Sequence, residues 1–284
     1  MLPKLGILAG KGLLPSRLIE ACRKEGRDFY VIAFEGQTEE ATVQDVPHSW
    51  VRLGAAGKAI SILRTEGATD LVMAGGIKRP AMTALRPDGW GFKFLAKLGK
   101  AALGDDGLLS ALIKELEKEG FHVIGADEIL TDAIANELTH GSIRPDGDAW
   151  LDIIHGVRVA RGLGALDVGQ AAVVQQGLVL GVEAIEGTES LLARVAGLAR
   201  PGPGGVLVKC KKPGQEGRAD LPSVGPDTID QIKNAGLRGI AVEIDGALVI
   251  DKSEVLQRAD AAGIFVVSVD DQILEEKRIA SEKS

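Results

Sequence analysis

The stretch LGILAGKGLLPSRLIEAC, residues 5–22, decides the fold. Its opening, LGILAG, is an apolar run ending on glycine, and Leu18, Ile19 and Cys22 then recur on one side of a helical period. A strand feeding a helix through a glycine turn is the first half of a βαβ unit. The alternation continues, with apolar runs FYVIAFEG (29–36), SWVRLG (49–54), DLVMAGGI (70–77) and FHVIGA (121–126) separated by periodic segments such as the one carrying Ile60 and Leu63. Strands spaced by helices predict a mainly parallel sheet with right-handed crossovers, and so a Rossmann-like N-terminal domain over residues 1–130.

A polar, turn-rich segment, TDAIANELTHGSIRPDGD (131–148), carries no sustained period and reads as the linker. Beyond it the pattern predicts a helix over 149–162, apolar runs AAVVQQGLVLGVEAI (171–185) and GGVLVKC (204–210), and a helix near 227–235. In RGIAVEIDGALVID (238–251) the Asp245-Gly246 pair between two apolar runs predicts a β-hairpin. A last helix and the strand GIFVVSVD (263–270) complete a C-terminal α/β catalytic domain over 149–284. The expected fold class is therefore α/β in two domains, without internal repeats.

The totals agree. A chain of 284 residues with 45% apolar content, 37 glycines and 4% aromatics builds its cores from aliphatic side chains and has many tight turns. A net charge of -7 argues against phosphate neutralisation along a nucleic acid as the main task. Cys22 and Cys210 lack metal or redox spacing and read as buried small hydrophobes in a reducing compartment. The start does not resemble a secretory signal, and no run of about 18 uncharged apolar residues occurs, so a cytoplasmic location is expected.

Several segments carry candidate chemistry. GILAGKGLLP (6–15) sets Gly10, Gly12 and Leu13 between a predicted strand and helix, where amides and the helix dipole favour an anion. The spacing is G-x-G-x-x-P, with Pro15 where the dinucleotide fingerprint has its third glycine, while Glu35 ends the second strand where a ribose-binding acid would sit. Phosphate or sugar binding, NAD binding and a plain tight turn all stay open on this spacing. Lys78 and Arg79 follow the strand DLVMAGG at the carboxyl edge of the sheet and suit a diphosphate, a solvated surface pair being the alternative. In WGFKFLAKLGKAAL (90–103), Trp90, Phe94, Leu95 and Leu98 share a helical face opposite Lys93, Lys97 and Lys100, a pattern that fits core packing or a surface laid on lipid. Asp105 and Asp106 of GDDGLL read as a cap for the next helix.

His48, His122, His140 and His155 show no metal-ligand spacing, and neither G-x-S-x-G nor a P-loop occurs. Many charges also lie in KKPGQEGRADLPSVGPDTID (211–230), between a predicted strand and a helix. Glu216, Asp220 and Asp227 are oxygen donors there, Lys212 and Arg218 are cations, and Pro222 and Gly225 restrain the backbone. Such a set suits a hard cation meeting phosphate oxygens. A solvated loop whose Asp227 caps the helix is the alternative.

Three segments, GILAGKGLLP, DVGQAAVVQQGLVLGVEAIEGTESLLARV (167–195) and KPGQEGRADLPSVGPDTI (212–229), resemble in that order the signature stretches of the LpxI-type UDP-2,3-diacylglucosamine pyrophosphatases, and AGGIKRP and GDDGLL are similar to its intermediate stretches. The resemblance spans nearly the whole chain. It implies Mg²⁺-dependent hydrolysis of a glycolipid nucleotide-sugar, UDP-2,3-diacylglucosamine, to UMP and 2,3-diacylglucosamine 1-phosphate (lipid X) in lipid A synthesis, with two domains clasping the substrate. Asp220, the acid of R-x-D-L-P, falls on the family's essential aspartate, and Gln170 and Thr188 lie in motifs that resemble those lining its substrate cleft. With that acid placed, the charge cluster itself makes Asp220 and Glu216 the expected magnesium ligands, and Lys212, Arg218 and the glycine-loop amides the expected holders of phosphate oxygens. Lys11 stands where the family commonly has a further glycine. A homodimer and peripheral contact with the inner membrane are expected by analogy. An NAD-linked oxidoreductase and a non-catalytic glycolipid-binding or regulatory protein are the competing classes.

Overall fold

The structure is a computed structural model describing residues 2–78, 85–98, 105–135, 141–214, 217–219 and 221–281, with backbone alone at 105–106. The chain forms two compact units, Met1–Thr131 with Glu216–Asp220, and Asp132–Gln215 with Leu221–Ser284. Nothing in the sequence signals that a short segment of the second half joins the first unit.

In the first unit, strands β1 (Leu5–Ala9), β2 (Phe29–Phe34), β3 (His48–Val51), β4 (Asp70–Ala74) and β5 (His122–Val123) form one parallel sheet in the order β3-β2-β1-β4-β5. Helix α1 (Leu14–Glu25) has Pro15 in its first turn, where a missing N–H is harmless, and buries Leu18, Ile19 and Cys22, the residues its period selects. It stops at Gly26, whose φ of 65° lets its amide close on the carbonyls of Arg23 and Cys22. The remaining helices of this unit are α2 (Glu40–Val43), α3 (Ala56–Thr65), α4 (Gly89–Leu98), α5 (Asp105–Lys118) and α6 (Ala126–Ile129).

The apolar face of α4 packs inward. Trp90 stacks on Phe94 at 5.5 Å and donates its indole N–H to Glu119 Oε1 at 2.7 Å, and Trp90 packs against the core containing Leu63, Leu71, Ile113 and Phe121. Lys97 pairs with Glu115, and Phe92 is left outward. Core packing thus accounts for the Trp90–Phe94 stripe.

In the second unit, β6 (Ala171–Gln175), β7 (Leu178–Val182), β8 (Val206–Lys209), β10 (Gly239–Glu243) and β12 (Phe265–Val269) form a mixed sheet in the order β12-β10-β8-β6-β7. A separate parallel ladder joins β9 (Ser223–Val224) to β11 (Leu248–Val249). Helices α7 (Gly147–Ala165), α8 (Gly187–Val195), α9 (Pro226–Asn234), α10 (Lys252–Ala262) and α11 (Asp271–Ser281) complete the unit. Asp146 caps α7, accepting from the amide of Ala149 at 2.8 Å.

The hairpin predicted at Asp245-Gly246 does not form. Asp245 does turn the chain, with φ 55°, but β10 already has β8 on one side and β12 on the other. The following arm therefore pairs elsewhere, Leu248 N–H donating to Pro222 O and Ile250 N–H to Val224 O, both at 2.8 Å. The hairpin lies instead between β6 and β7. Its turn residues Gln176 and Gly177 both have positive φ, 53° and 73°, as a two-residue turn requires. The buried carboxylate of Asp152 accepts from both turn amides, at 3.0 and 2.7 Å.

Two glycines offer a stability test. Gly67 (φ 74°) has open space where a Cβ would stand, whereas at Gly75 (φ 83°) a Cβ would lie 2.2 Å from the carbonyl oxygen of Lys11. Gly67→Ala should cost roughly 1–2 kcal/mol from backbone strain alone, and Gly75→Ala roughly 3 kcal/mol or more because strain and clash add. Urea unfolding of the two variants checks this, and equal losses would contradict the close approach.

Candidate functional site

In the first unit the strand order reverses beside β1, and open α/β sheets bind ligands beyond the carboxyl ends at such a point. Here the loops after β1 and β4 are tied together. Gly10 N–H donates to Ala74 O (2.7 Å), Lys11 N–H to Gly76 O (2.8 Å) and Gly76 N–H to Lys11 O (3.1 Å). A Cβ at Gly10 would stand 2.6 Å from Gly76 O, so glycine here permits the approach of two backbones. The amides of Gly10 and Lys11 are thereby committed within the protein. A dinucleotide pyrophosphate would need amides of this loop, so the NAD reading loses part of its cradle.

Gly12, at φ 89° with open space around it, and the exposed Leu13 stand at the entry to α1. The neighbouring loop is held by Thr38, whose hydroxyl donates to Ala9 O (2.5 Å) and accepts from Phe34 N–H (2.8 Å). Gln37 accepts from Lys78 N–H (2.8 Å) and donates to Lys78 O (3.2 Å). Its amide thus fixes the backbone of Lys78 at the sheet's carboxyl edge while the residue remains exposed. Glu35 is exposed at the end of β2. Arg79 lies outside the described residues.

Arg218 belongs to the first unit. Its Nη1 donates to Glu117 Oε1 at 2.7 Å and to Val123 O at 3.3 Å, and Ala219 packs against the first core. Sequence spacing pairs this guanidinium with phosphate and gives no sign of these partners.

The second unit holds a buried polar chain at the carboxyl end of β8. Lys209, 5% exposed, donates from Nζ to Thr188 Oγ1 (3.0 Å) and to Ser223 O (3.2 Å). Thr188 in turn donates to Glu183 Oε1 at 2.5 Å, and the other oxygen of Glu183 accepts from Gln170 N–H at 3.3 Å. Thr188 and Gln170 are thus brought together by Glu183, a residue that spacing did not select, and Lys209 is the second omission. One signal was present: Lys209 follows Val206, Leu207 and Val208 in a central strand buried throughout, and a buried ammonium requires partners.

Lys212 is also buried, and its Nζ donates to Asp167 Oδ1 at 2.8 Å. Glu243 fixes the backbone between these lysines, accepting from Lys211 N–H (2.9 Å) with one oxygen and from Arg161 Nη2 (2.6 Å) with the other. Burial lowers the affinity of Arg161 for its proton, but hydrogen bonds to Asp271 and Glu243 outweigh that, and the guanidinium is held charged. Asp227 interacts with Arg258 at 3.7 Å at the start of α9.

Among the described residues no three His, Cys, Asp or Glu side chains are grouped to hold a metal ion. Asp220 and Glu216 lie outside the described residues, as does His140.

These features define a class: a two-unit α/β protein whose polar chemistry gathers at strand ends. Comparison with known proteins resolves it further. The LpxI N-terminal domain model matches residues 4–133 and the LpxI C-terminal domain model residues 137–267, so the chain belongs to the LpxI family. A Caulobacter vibrioides protein named UDP-2,3-diacylglucosamine pyrophosphatase LpxI is 42% identical over 276 residues, which are 95% of this chain and 98% of that one. Among solved structures, a CobK precorrin-6A reductase aligns over 95% of this chain and 88% of its own at 13% identity, with a TM-score of 0.33. The biotin carboxylase domain of a thermophilic 2-oxoglutarate carboxylase covers 61% of this chain and 35% of its own at 16% identity and a TM-score of 0.26.

Burial raises the pKa of the Cys22 thiol, and burial together with the nearby Glu243 charge pushes Cys210 up to about 12. Both thiols should thus stay protonated and unreactive toward a disulfide reagent at pH 8, and both should react once the chain is unfolded in guanidinium. Rapid labelling of either in the native protein would contradict their placement.

Proposed function

We propose that this chain hydrolyses the diphosphate of UDP-2,3-diacylglucosamine, releasing UMP and 2,3-diacylglucosamine 1-phosphate, in a magnesium-dependent step of lipid A synthesis. One observation carries the reading: 42% identity across 95% of the chain with the Caulobacter vibrioides protein that bears that activity in its name. The polar edges of the two sheets are compatible with it. In the second unit Lys212, paired with Asp167, brings a cationic donor suited to phosphate oxygens. In the first unit Lys78 and the entry of α1 at Gly12 and Leu13 are the corresponding candidates.

In the proposed reaction water attacks phosphorus and the P–O–P bridge breaks, the bridging oxygen leaving with its electron pair on the departing phosphate. Asp220 is the proposed essential carboxylate and, with Glu216, would hold the magnesium ion. Magnesium, when bound, neutralises charge on the diphosphate. Lys212 reaches a phosphate by exchanging its partner Asp167 for it, so Lys212→Met should raise KM roughly tenfold, consistent with the loss of one charge-assisted contact. An unchanged KM would remove Lys212 from the site.

The acyl-bearing substrate implies work at the cytoplasmic face of the inner membrane, and we propose a peripheral, homodimeric enzyme. Among the described residues no helix is long and apolar enough to cross a membrane.

Release of UMP by purified protein, with and without Mg²⁺ and beside Asp220→Ala, tests the reading. Metal-dependent release should be lost in the variant while substrate binding persists. Binding without release by the native chain would instead favour the non-catalytic glycolipid-binding class.

A further inference from the structure

Several cations of the first unit have acid partners: Arg27 pairs with Asp70, Arg64 with Glu119 and Lys97 with Glu115. Where the loop after β3 meets the start of α4 the pattern changes. Arg52, Lys58, Arg86 and Lys93 are exposed there, and among the described residues none of these side chains has an ion-pair partner.

Backbone contacts hold them in one corner. Asp88 N–H donates to Gly54 O (3.0 Å), and the two oxygens of its carboxylate accept from the amides of Lys58 (3.1 Å) and Gly91 (2.8 Å). A Cβ at Gly54 would lie 3.0 Å from Arg86 O and closer still to Leu85 O, so glycine permits the loop to reach Arg86. A Cβ at Gly57 would stand 2.9 Å from Trp90 Cβ, which brings α3 against α4 in the same place. Arg86 keeps a left-handed backbone, φ 43°, that a non-glycine residue seldom adopts. Glu35, whose N–H donates to Val51 O (3.1 Å), stands at the margin.

Helix α4 supplies an apolar part. Gly89, Phe92, Lys93, Ala96 and Lys97 recur at helical spacing as its exposed stripe, opposite the packed Phe94. Phe92 is 67% exposed beside Lys93. A lone exposed phenylalanine is ordinary. A ring set among unpaired cations, on a chain of net charge -7, is a local departure from the composition.

We propose that this corner docks on a bilayer containing anionic phospholipid, with Arg52, Lys58, Arg86 and Lys93 against headgroup phosphates and the Phe92 ring at the acyl boundary. Charge selects that occupant: a second copy presenting the same cations would be repelled, whereas an anionic headgroup layer neutralises them together. The corner lies past the carboxyl end of β3, on the sheet edge that also carries Lys78 and the entry of α1. Docking there brings that edge to the bilayer that supplies an acylated substrate. The inference deepens the peripheral placement proposed above, and its test does not depend on turnover.

Sedimentation of the purified full chain with phosphatidylcholine vesicles, with and without phosphatidylglycerol, tests the surface. The native protein should bind the phosphatidylglycerol vesicles and release them as salt is raised. Lys93→Gln and Arg86→Gly should each weaken partition about fivefold. Glycine suits the backbone of residue 86, so that loss would not reflect misfolding. Phe92→Ser should weaken partition roughly tenfold. Lys24→Glu, at the far end of α1, lowers the net charge more than either cation variant and should change partition less than about twofold.

No binding by the native protein, equal binding to both vesicles, or a loss in Lys24→Glu as large as in Lys93→Gln would overturn the surface. A smaller assembly for Phe92→Ser on size exclusion would place a second copy there instead. A raised KM for detergent-dispersed substrate in Arg86→Gly, with vesicle binding unchanged, would make that cation a substrate contact and likewise overturn the proposal. Vesicle binding without UMP release would sink the hydrolase reading and leave this surface standing.

Discussion

Strands buried along their length gather much of the polar chemistry at their ends, and that constraint shapes both units. All four residues of β8 and all five of β12 are buried, as are four of five in β1. Polar groups appear at strand ends, with Lys209 as the last residue of β8 and Glu183 just after β7.

Burying an ammonium is costly unless its hydrogen bonds are met. Lys209 meets the requirement through Thr188 and the Ser223 carbonyl, and Thr188 relays the contact to Glu183. A hydroxyl between an acid and an ammonium leaves few alternative geometries, so the network fixes β8, the loop before α8 and the start of β9 against one another. Glu243 acts similarly one strand away, holding the chain at Lys211 while Arg161 balances its charge. Together they set the backbone on either side of the segment that carries Asp220.

Much of the fold was legible because local signals agreed. In the first half, apolar runs, glycine turns and helical periods each pointed to the same strands, and the Rossmann-like order followed. The hairpin at Asp245-Gly246 was misread because a turn signal specifies a reversal but not a partner, and β10 already had two neighbours. The true hairpin at Gln176-Gly177 carries a weaker turn pair and depends on Asp152, distant in sequence. Gly10 looked like an anion cradle because spacing cannot distinguish room for a ligand from room for a second backbone. The motif residues Thr188 and Gln170 were recognisable by resemblance, whereas Glu183 and the partners of Lys209 became apparent only through side-chain contacts. Arg218 is the clearest case, since its partners Glu117 and Val123 lie about a hundred residues away.

The central claim is that water breaks a P–O–P bond in a nucleotide-sugar, and turnover of UDP-2,3-diacylglucosamine in ¹⁸O-water tests it most directly. Mass analysis should find UMP and 2,3-diacylglucosamine 1-phosphate, with one solvent oxygen in the phosphate of one of them. UDP together with a free sugar would mean that the glycosidic bond was cut instead, and that result, or intact substrate, would contradict the account.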